Sequence, residues 1–347
     1  MLQDVQQYPA QKPEHEVLQG TQPDMLQDNF GRQFHYLRLS ITEMCNFRCN
    51  YCLPNGNECD TSKDNMTLNE IETLVQAFAR LGTSKIRITG GEPSLRKDLI
   101  DIIGICKSTP GIDKVAMTTN AFRLKKDVQK YAEAGLDALN VSADSLDPRM
   151  FAAITGKDKL VDILAGVDLA IEAGIKQIKF NSVILKQFNF GGLGQFLEYL
   201  KTHAVTWRFI ELMQTGDNAT FFEENHIRGE DIKQDLLAKG WQRVLREKHA
   251  GPAQEFSHPD YLGNLGLIMP YSKDFCSTCN RLRVSSSGKL HLCLFSEHGL
   301  SIRDSLSNGD VDGTCEALRA HLSLKTASHE LQRGFTGATK QLAMLGG

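Results

Sequence analysis

Apolar residues along this chain follow two alternating spacings from about Phe34 onward. Short apolar runs with a strand-like period are each followed by a segment whose apolar positions recur at helical spacing. Because strands that alternate strictly with helices form a parallel sheet with right-handed crossovers, the pattern predicts an α/β fold. The predicted strands are 36–41, 85–89, 114–118, 138–142, 177–184 and 205–211, and the predicted helices are about 68–81, 96–107, 124–134, 160–173 and 193–202.

The length of this alternating region limits the barrel that it can form. An eight-stranded barrel typically needs about 250 residues, so six units within residues 34–225 predict a partial six-unit (βα) barrel. Residues 226–347 lack the alternation and are predicted to form a smaller C-terminal domain that closes the open side, with helices at Glu230–Lys239 and about 313–330. Residues 1–33 are rich in Gln, Asp and Pro and are predicted to be a flexible extension.

Composition narrows the class of protein. A chain of 347 residues can bury a large core, and a net charge of −3 argues against a broad nucleic-acid surface. No segment approaches ~18 uninterrupted apolar residues, so we expect a soluble, cytoplasmic protein without a membrane partner. Six of the nine cysteines fall into two tight groups. In a cytoplasmic protein such groups indicate metal or cluster ligands rather than disulfides.

The first group, Cys45, Cys49 and Cys52, follows the first predicted strand at the spacing C-x3-C-x2-C. Three thiolates can ligate three corners of an iron–sulfur cube and leave the fourth iron open to a small molecule. A structural zinc site takes four ligands, so the alternative interpretation is a zinc knuckle with a distant fourth ligand.

A Gly90-Gly91-Glu92-Pro93 stretch directly follows the second predicted strand. Its glycines let the backbone approach a ligand closely, and the Glu92 side chain is predicted to orient an ammonium group. Alone, the tetrapeptide is weak evidence. Together with the cysteine loop it resembles the radical S-adenosylmethionine (SAM) superfamily, in which the open iron chelates SAM and the GGEP stretch holds its methionyl amino group.

Polar side chains interrupt the predicted buried strands. Such residues are costly in a parallel barrel unless they face a site, which is expected at the carboxyl end of the strands. Each one alone is more often a strand-end residue that reaches solvent. Together they predict a cationic interior suited to a nucleoside triphosphate. The residues are Arg38, Lys85, Arg87, Thr89, Thr118, Asn120, Lys179, Asn181 and Arg208.

The second group, Cys276, Cys279 and Cys293, has the spacing C-x2-C-x13-C. His291 shares the strand face of Cys293, so a zinc site with three Cys and one His is the alternative interpretation. The neighbouring Arg281 and Arg283 alternate onto one strand face beside these thiolates. Two guanidinium groups there would offset the charge of a thiolate-bound cluster and bind an anion.

Several longer motifs extend this pattern: LRLSIT, KIRITGGEPSLR, MTTN, NVSADSLD, RFIELM, FCSTCNRLRVSS with GKLHLCLF, and a final GG. From about Tyr36 to Gly347 the chain resembles the GTP 3',8-cyclases of molybdenum cofactor biosynthesis, radical SAM enzymes with two 4Fe-4S clusters. The resemblance implies conversion of GTP to 3',8-cyclo-7,8-dihydro-GTP, in which a 5'-deoxyadenosyl radical takes the hydrogen of the ribose C3'.

The resemblance also implies roles for individual residues. It assigns Cys45, Cys49 and Cys52 to the SAM cluster, Cys276, Cys279 and Cys293 to the substrate cluster, and Tyr51, Gly91, Glu92, Ser142 and Met213 to SAM binding. It assigns Arg38, Lys85, Arg87, Thr118, Lys179, Arg208, Arg281 and Arg283 to GTP binding, and Arg281, Arg283, Gly346 and Gly347 to catalysis. Ala121 stands where the family usually has Gly, which costs about 1 kcal/mol if that backbone has a positive φ.

The family implies several partners: an electron donor such as a flavodoxin or ferredoxin, and a downstream pterin-forming enzyme, cyclic pyranopterin monophosphate synthase. The chain is expected to act as a monomer or homodimer. Two alternatives stay open at this point. One is a peptide-modifying radical SAM enzyme with an auxiliary cluster, and the other is a non-enzymatic zinc or iron–sulfur module.

Overall fold

A computed structural model of the chain describes residues 25–57, 64–216, 218–245, 250–337 and 345–346. The α/β fold is confirmed, and each of the six predicted strands is present to within one residue at either end. They are β1 (Tyr36–Ser40), β2 (Lys85–Thr89), β3 (Lys114–Thr119), β4 (Ala138–Ser142), β5 (Gln177–Ile184) and β6 (Thr206–Glu211). Neighbours in this series pair in parallel, as in a partial barrel.

Helices cover the outer face of this sheet. They are α1 (Leu68–Arg80), α2 (Leu99–Ser108), α3 (Leu124–Glu133), α4 (Pro148–Thr155), α5 (Leu160–Glu172) and α6 (Leu193–Thr202). The start of α1 shows why the sequence folds this way. The Thr67 side chain accepts from the Glu70 backbone N–H and the Glu70 carboxylate accepts in return, so two backbone donors are satisfied before the apolar face begins. The short helix α4 was not predicted.

The C-terminal part continues the same sheet at both edges. Its elements are α7 (Ala219–Asn225), α8 (Gly229–Ala238), β7 (Gln242–Arg243), β8 (Gln254–Ser257), β9 (Asn264–Ile268), β10 (Arg281–Val284), β11 (Lys289–His291), β12 (Leu300–Ser301), α9 (Arg303–Ser307) and α10 (Val311–Leu322). The strand order is β12-β11-β10-β1-β2-β3-β4-β5-β6-β9-β8-β7. Because β10 pairs in parallel with β1 and β9 with β6, the C-terminal strands lengthen the barrel wall rather than form a separate sheet.

The predicted C-terminal helix at 313–330 was too long. Helix α10 begins earlier, where the Asp310 side chain accepts from the Gly313 backbone N–H, and it ends at Leu322. Beyond it, the Lys325 ammonium donates to the Leu292 carbonyl, and the carbonyls of Thr326 and Ala327 accept from a distant arginine. The segment that makes these contacts lies outside any helix, and the spacing of apolar residues does not predict them.

That arginine, Arg32, belongs to the predicted flexible extension 1–33, of which residues 1–24 lie outside the described part. For residues 25–33 the prediction was wrong. Leu26 is buried, and its N–H donates to the Leu81 carbonyl at 3.1 Å. Arg32 also pairs with Asp28 at 2.6 Å. A single buried leucine and one internal ion pair leave no periodic signal, which explains why the sequence pattern missed this packing. Within the described residues, no helix has the length and apolarity to cross a bilayer.

We expect Leu26→Ala to lower the free energy of unfolding by about 2–5 kcal/mol, because it leaves a cavity against the barrel wall. Anaerobic denaturant unfolding of the purified protein measures this change. Leu262→Ala is the matched control, since Leu262 is 67% exposed and its truncation should change stability by less than about 0.5 kcal/mol. Equal effects of the two substitutions would contradict packing of this segment.

Candidate active site

Three cavities meet inside the barrel. The carboxyl-end cavity, of about 130 Å³, is lined by the first cysteine group and by residues that end or follow β2, β3 and β4. The central cavity, of about 110 Å³, is lined by the second cysteine group and by six Lys and Arg side chains. Asn181, Ile210 and Met213 line both, so the two cysteine groups face adjoining spaces. The amino-end cavity, of about 550 Å³, continues from the central one past the first residues of β2, β3 and β5.

The first cysteine group is held in a loop after β1. The Cys52 N–H donates to the Cys49 carbonyl at 3.0 Å, and the Asn120 amide donates to the Cys45 sulfur at 3.9 Å. Burial raises the pKa of Cys45 to about 11 and raises that of Cys49 well above its usual value. The protein alone therefore favours neutral thiols here. A thiophilic metal centre, which binds the thiolate and releases the proton, fits this set of donors.

The GGEP stretch packs its backbone against this loop. A side chain at Gly91 would collide with the carbonyls of Glu43 and Met44, and the N–H groups of Gly91 and Glu92 donate to the Thr42 and Met44 carbonyls at 2.9 and 2.8 Å. Glycine is needed here for contact between two loops of the chain. Gly91 also lines the carboxyl-end cavity, as predicted for a SAM contact.

Glu92 does not line that cavity, contrary to its predicted role in orienting an ammonium group. Its carboxylate is fully buried and accepts from the Ser94 N–H at 3.0 Å, the Thr119 hydroxyl at 2.8 Å and the Asn120 N–H at 2.6 Å. The donors of Thr119 and Asn120 tie the loop after β2 to the end of β3. In the loop after β3 Ala121 has φ 59°, which confirms the left-handed backbone suspected from the sequence.

Tyr51 lies beside the cysteine loop and lines the carboxyl-end cavity together with Ser142 and Met213. Its hydroxyl donates to the Asp144 carboxylate at 2.9 Å, and the other Asp144 oxygen accepts from the Val183 N–H at 2.8 Å. Burial raises the pKa of Asp144 to about 6. Asp144 was not singled out from the sequence. The signal that could have pointed to Asp144 is its position within NVSADSLD, just after the end of β4.

The cations of the central cavity are set in rows by strand register. Arg38 of β1 stands opposite Arg87 of β2 on one side and opposite Arg283 of β10 on the other. Tyr36 likewise stands between Lys85 and Arg281. Arg208 of β6 completes the set from the far edge. Among the described residues that line this cavity there is no Asp or Glu.

Several donors of these cations have no hydrogen-bond partner among the residues that the structure describes. The Nε atoms of Arg208, Arg281 and Arg283 are buried without a hydrogen bond in the described part of the chain. Burial raises the pKa of a phenol, but Arg87, Arg38 and Lys85 outweigh it and lower the pKa of Tyr36 to about 7. Unsatisfied donors around an acidified phenol indicate a site for a ligand with several negative charges.

The second cysteine group faces these cations. Burial opposes ionisation of Cys279, but Arg281 and Lys325 lower its pKa. Burial opposes ionisation of Cys276 as well, and interactions with His329 and Ser328 lower its pKa to about 6. Thiolates are therefore favoured, as a cluster requires. His329 also lines the central cavity, and its segment has no motif from which this position could be predicted.

His291, the fourth ligand in the zinc interpretation, lines a different cavity from the three cysteines. Its Nε2 atom lies 2.6 Å from where a Gly299 Cβ would stand, so the ring packs against that glycine. Among the described residues, no three His, Cys, Asp or Glu side chains converge as ligands of a single ion. The position of His291 thus argues against the Cys3His site.

Part of the C-terminal tail reaches the same region. Leu345 is buried among Leu294, Cys52, Met213 and Phe295, which belong to both cysteine regions. The Gly346 carbonyl accepts from the Arg38 guanidinium. Gly346 has φ 65°, and a side chain there would collide with Thr89, so both its backbone and its surroundings require glycine. Gly347 lies outside the described residues.

Two predicted GTP contacts lie outside the central cavity. Thr118 lines the carboxyl-end cavity, where its hydroxyl accepts from Arg87 at 3.4 Å. Lys179 lines the amino-end cavity and pairs with Glu255 at 2.6 Å. Lys85, the first residue of β2, lines both the central and amino-end cavities. The predicted GTP contacts therefore lie along the whole length of the strands and not only at their carboxyl ends, because an incompletely filled barrel exposes inward residues along its whole length.

Comparison with known proteins agrees with this arrangement. Residues 39–200 match the Radical SAM superfamily, and residues 205–331 match the family described as Molybdenum Cofactor Synthesis C. SuiB of Streptococcus suis, solved with S-adenosylmethionine, superposes with a TM-score of 0.60 at 14% identity, over 83% of this chain and 69% of SuiB. At that identity the likeness shows the fold alone.

Close relatives are named GTP 3',8-cyclase. That of Shewanella denitrificans is 52% identical over 323 residues, which cover 93% of this chain and 96% of the relative. That of Vibrio parahaemolyticus is 52% identical over 324 residues, which cover 92% and 97%. The chain therefore belongs to the GTP 3',8-cyclase family, the radical SAM enzymes of molybdenum cofactor biosynthesis, which use SAM and iron–sulfur clusters.

Proposed function

We propose that this chain performs GTP 3',8-cyclisation with two 4Fe-4S clusters, one held by Cys45, Cys49 and Cys52 and the other by Cys276, Cys279 and Cys293. The observation that carries the proposal is a pair of adjoining cavities, each lined by three cysteines. One of them, the central cavity, is also lined by six cations and, among the described residues, by no carboxylate. Three thiolates per cluster leave one iron open in each.

When bound, the first cluster and SAM supply a 5'-deoxyadenosyl radical that takes the hydrogen of the GTP ribose C3'. The residues around the carboxyl-end cavity orient SAM for this step. The Gly91 backbone, Ser142 and Met213 contact SAM, and Asp144 fixes the Tyr51 ring through its hydroxyl. The apolar floor formed by Ile210 and Val183 excludes water from the reactive carbon.

The residues of the central cavity hold the nucleotide. Arg38, Arg87 and Arg283 stand in one row across three strands, so their guanidinium groups bind the phosphates from one wall. Arg281 lies next to Cys279 and serves both the second cluster and the substrate. Cys276, Cys279 and Cys293 would hold that cluster, which would supply a binding position for the guanine base. The Gly346 carbonyl orients Arg38, and Gly347 is assigned a catalytic role with it.

Partners follow from the chemistry. A one-electron carrier, a flavodoxin or ferredoxin, reduces the first cluster, and cyclic pyranopterin monophosphate synthase receives the product. Both cysteine groups are on one chain, so a monomer suffices for the reaction, and a homodimer would repeat the site. A reducing, cytoplasmic location keeps the six cysteines available as ligands.

Anaerobic incubation of the cluster-loaded protein with SAM, a reductant and GTP tests the function. We expect 5'-deoxyadenosine and 3',8-cyclo-7,8-dihydro-GTP in equal amounts, identified by mass spectrometry. Formation of 5'-deoxyadenosine without a cyclised nucleotide would indicate another radical SAM reaction, such as peptide modification. A colourless preparation that contains zinc would exclude both.

The two cysteine groups should separate functionally. Cys276→Ser is expected to lose about four of about eight irons and all cyclised product while it still forms 5'-deoxyadenosine. Cys45→Ser is expected to lose a similar amount of iron and 5'-deoxyadenosine as well. Iron analysis and product assays measure these effects. Cys106→Ala is the control, since Cys106 is a buried thiol of α2, and it should keep the full iron content.

Arg283→Ala should reduce formation of the cyclised nucleotide by at least about a hundredfold, because a small displacement of the C3' hydrogen cuts the rate steeply. Its SAM affinity should stay unchanged, since Arg283 lines only the central of the two cysteine cavities. Steady-state kinetics and equilibrium SAM binding measure the two quantities. Arg149→Ala, at an exposed position, controls for loss of one charge, and unaltered cyclisation by Arg283→Ala would remove the residue from the site.

A further inference from the structure

One carboxylate contacts the cations at the boundary between the central and amino-end cavities. A single oxygen of Glu255, Oε1, lies 2.6 Å from the Lys179 ammonium and 2.9 Å from the Arg208 guanidinium. The side chains of the two cations are only 12% and 10% exposed. Both cations are assigned to GTP binding, yet the roles described so far leave Glu255 without a function.

The sheet is built so that Glu255 can make this contact. Strand β9 separates β6 from β8, and its Gly266 stands opposite Arg208 on one side and opposite Glu255 on the other. A Cβ at Gly266 would lie 2.8 Å from the Arg208 Cγ, closer than real Cβ contacts allow. The missing side chain leaves room for Arg208 beside Glu255, so the ion pair crosses an intervening strand.

The electrostatic setting of the two cations favours an anion at this position. Burial and the neighbouring Arg208 lower the pKa of Lys179 to about 8, so each cation disfavours the charge of the other unless an anion lies between them. Arg208 still has a buried Nε without a hydrogen bond in the described residues. Glu255 therefore neutralises the pair only in part, and an anion with more oxygen atoms would satisfy it better.

We propose that Glu255 is a displaceable counter-ion, which holds Lys179 and Arg208 until the terminal phosphate of GTP takes its place. The proposal rests on the function assigned above, in which these two cations bind the triphosphate. The cyclised product keeps the triphosphate, so the return of Glu255 to its cations also favours product release. Glu255 thereby weakens binding of triphosphates specifically, since a diphosphate does not have to displace it.

Calorimetric titration of the anaerobic, cluster-loaded protein with GTP and with GDP tests this role. Glu255→Gln keeps the shape of the side chain and removes its charge, so we expect GTP to bind about tenfold more tightly and GDP less than about threefold. The KM for GTP should fall with it, while iron content and SAM affinity stay unchanged. Glu198→Gln, which removes an exposed charge paired with Lys201 at 2.7 Å, should change neither nucleotide affinity.

Glu255→Asp separates displacement from a general field effect. Aspartate keeps the charge but is too short to hold both cations, so GTP should again bind more tightly than to the wild type. Unchanged GTP affinity in Glu255→Gln, or equal tightening of GTP and GDP, would overturn the proposal. A tightening in Glu255→Gln that is absent in Glu255→Asp would also overturn it. A wild-type holoenzyme that binds neither nucleotide would instead contradict the function on which it rests.

Discussion

The arrangement of this structure depends on the repulsion among its buried positive charges. Burial, together with neighbouring arginines, lowers the pKa of Arg38 to about 9, and burial lowers that of Lys85 to about 8. Such a group of cations opposes folding unless the scaffold fixes it and a ligand neutralises it. The scaffold here is the sheet, whose register leaves each cation at a set position. The phenol of Tyr36, between Lys85 and Arg281, and the carboxylate of Glu255 offset part of this charge. The remainder is available to an anionic substrate.

The same sheet places the two cysteine groups next to each other. The first cysteine loop follows β1, and the second cysteine group flanks β10, which pairs with β1. Both groups therefore lie beside the paired strands β1 and β10, and Asn181, Ile210 and Met213 line the cavities of both. A radical generated in one cavity would be close to a substrate held in the adjoining one. Positioning of this kind accounts for a large part of catalytic power in general.

The sequence predicted the six barrel strands closely because buried parallel strands are apolar and short, and both cysteine groups were visible from spacing alone. Burial and pairing of side chains were not visible. Glu92 belongs to a motif, yet its carboxylate accepts from Thr119 and Asn120 at the end of β3. Arg208 and Glu255 are 47 residues apart, and Arg208 has room beside Glu255 because Gly266 lacks a side chain. Contacts that cross strands depend on register, and one sequence taken alone contains no signal for register between distant segments.

The pairing of Tyr36 with Arg281 joins the first strand of the fold to one of its last. While the nascent polypeptide leaves the ribosome, β1 can pair with β2 early, but its other edge waits until β10 has been translated. An unpaired parallel edge is prone to aggregation, and pairing over such a separation is slow. Chaperones are therefore expected to guard this edge during synthesis. The second cysteine group, which lies beside β10, is likewise brought to the site only when that edge is closed.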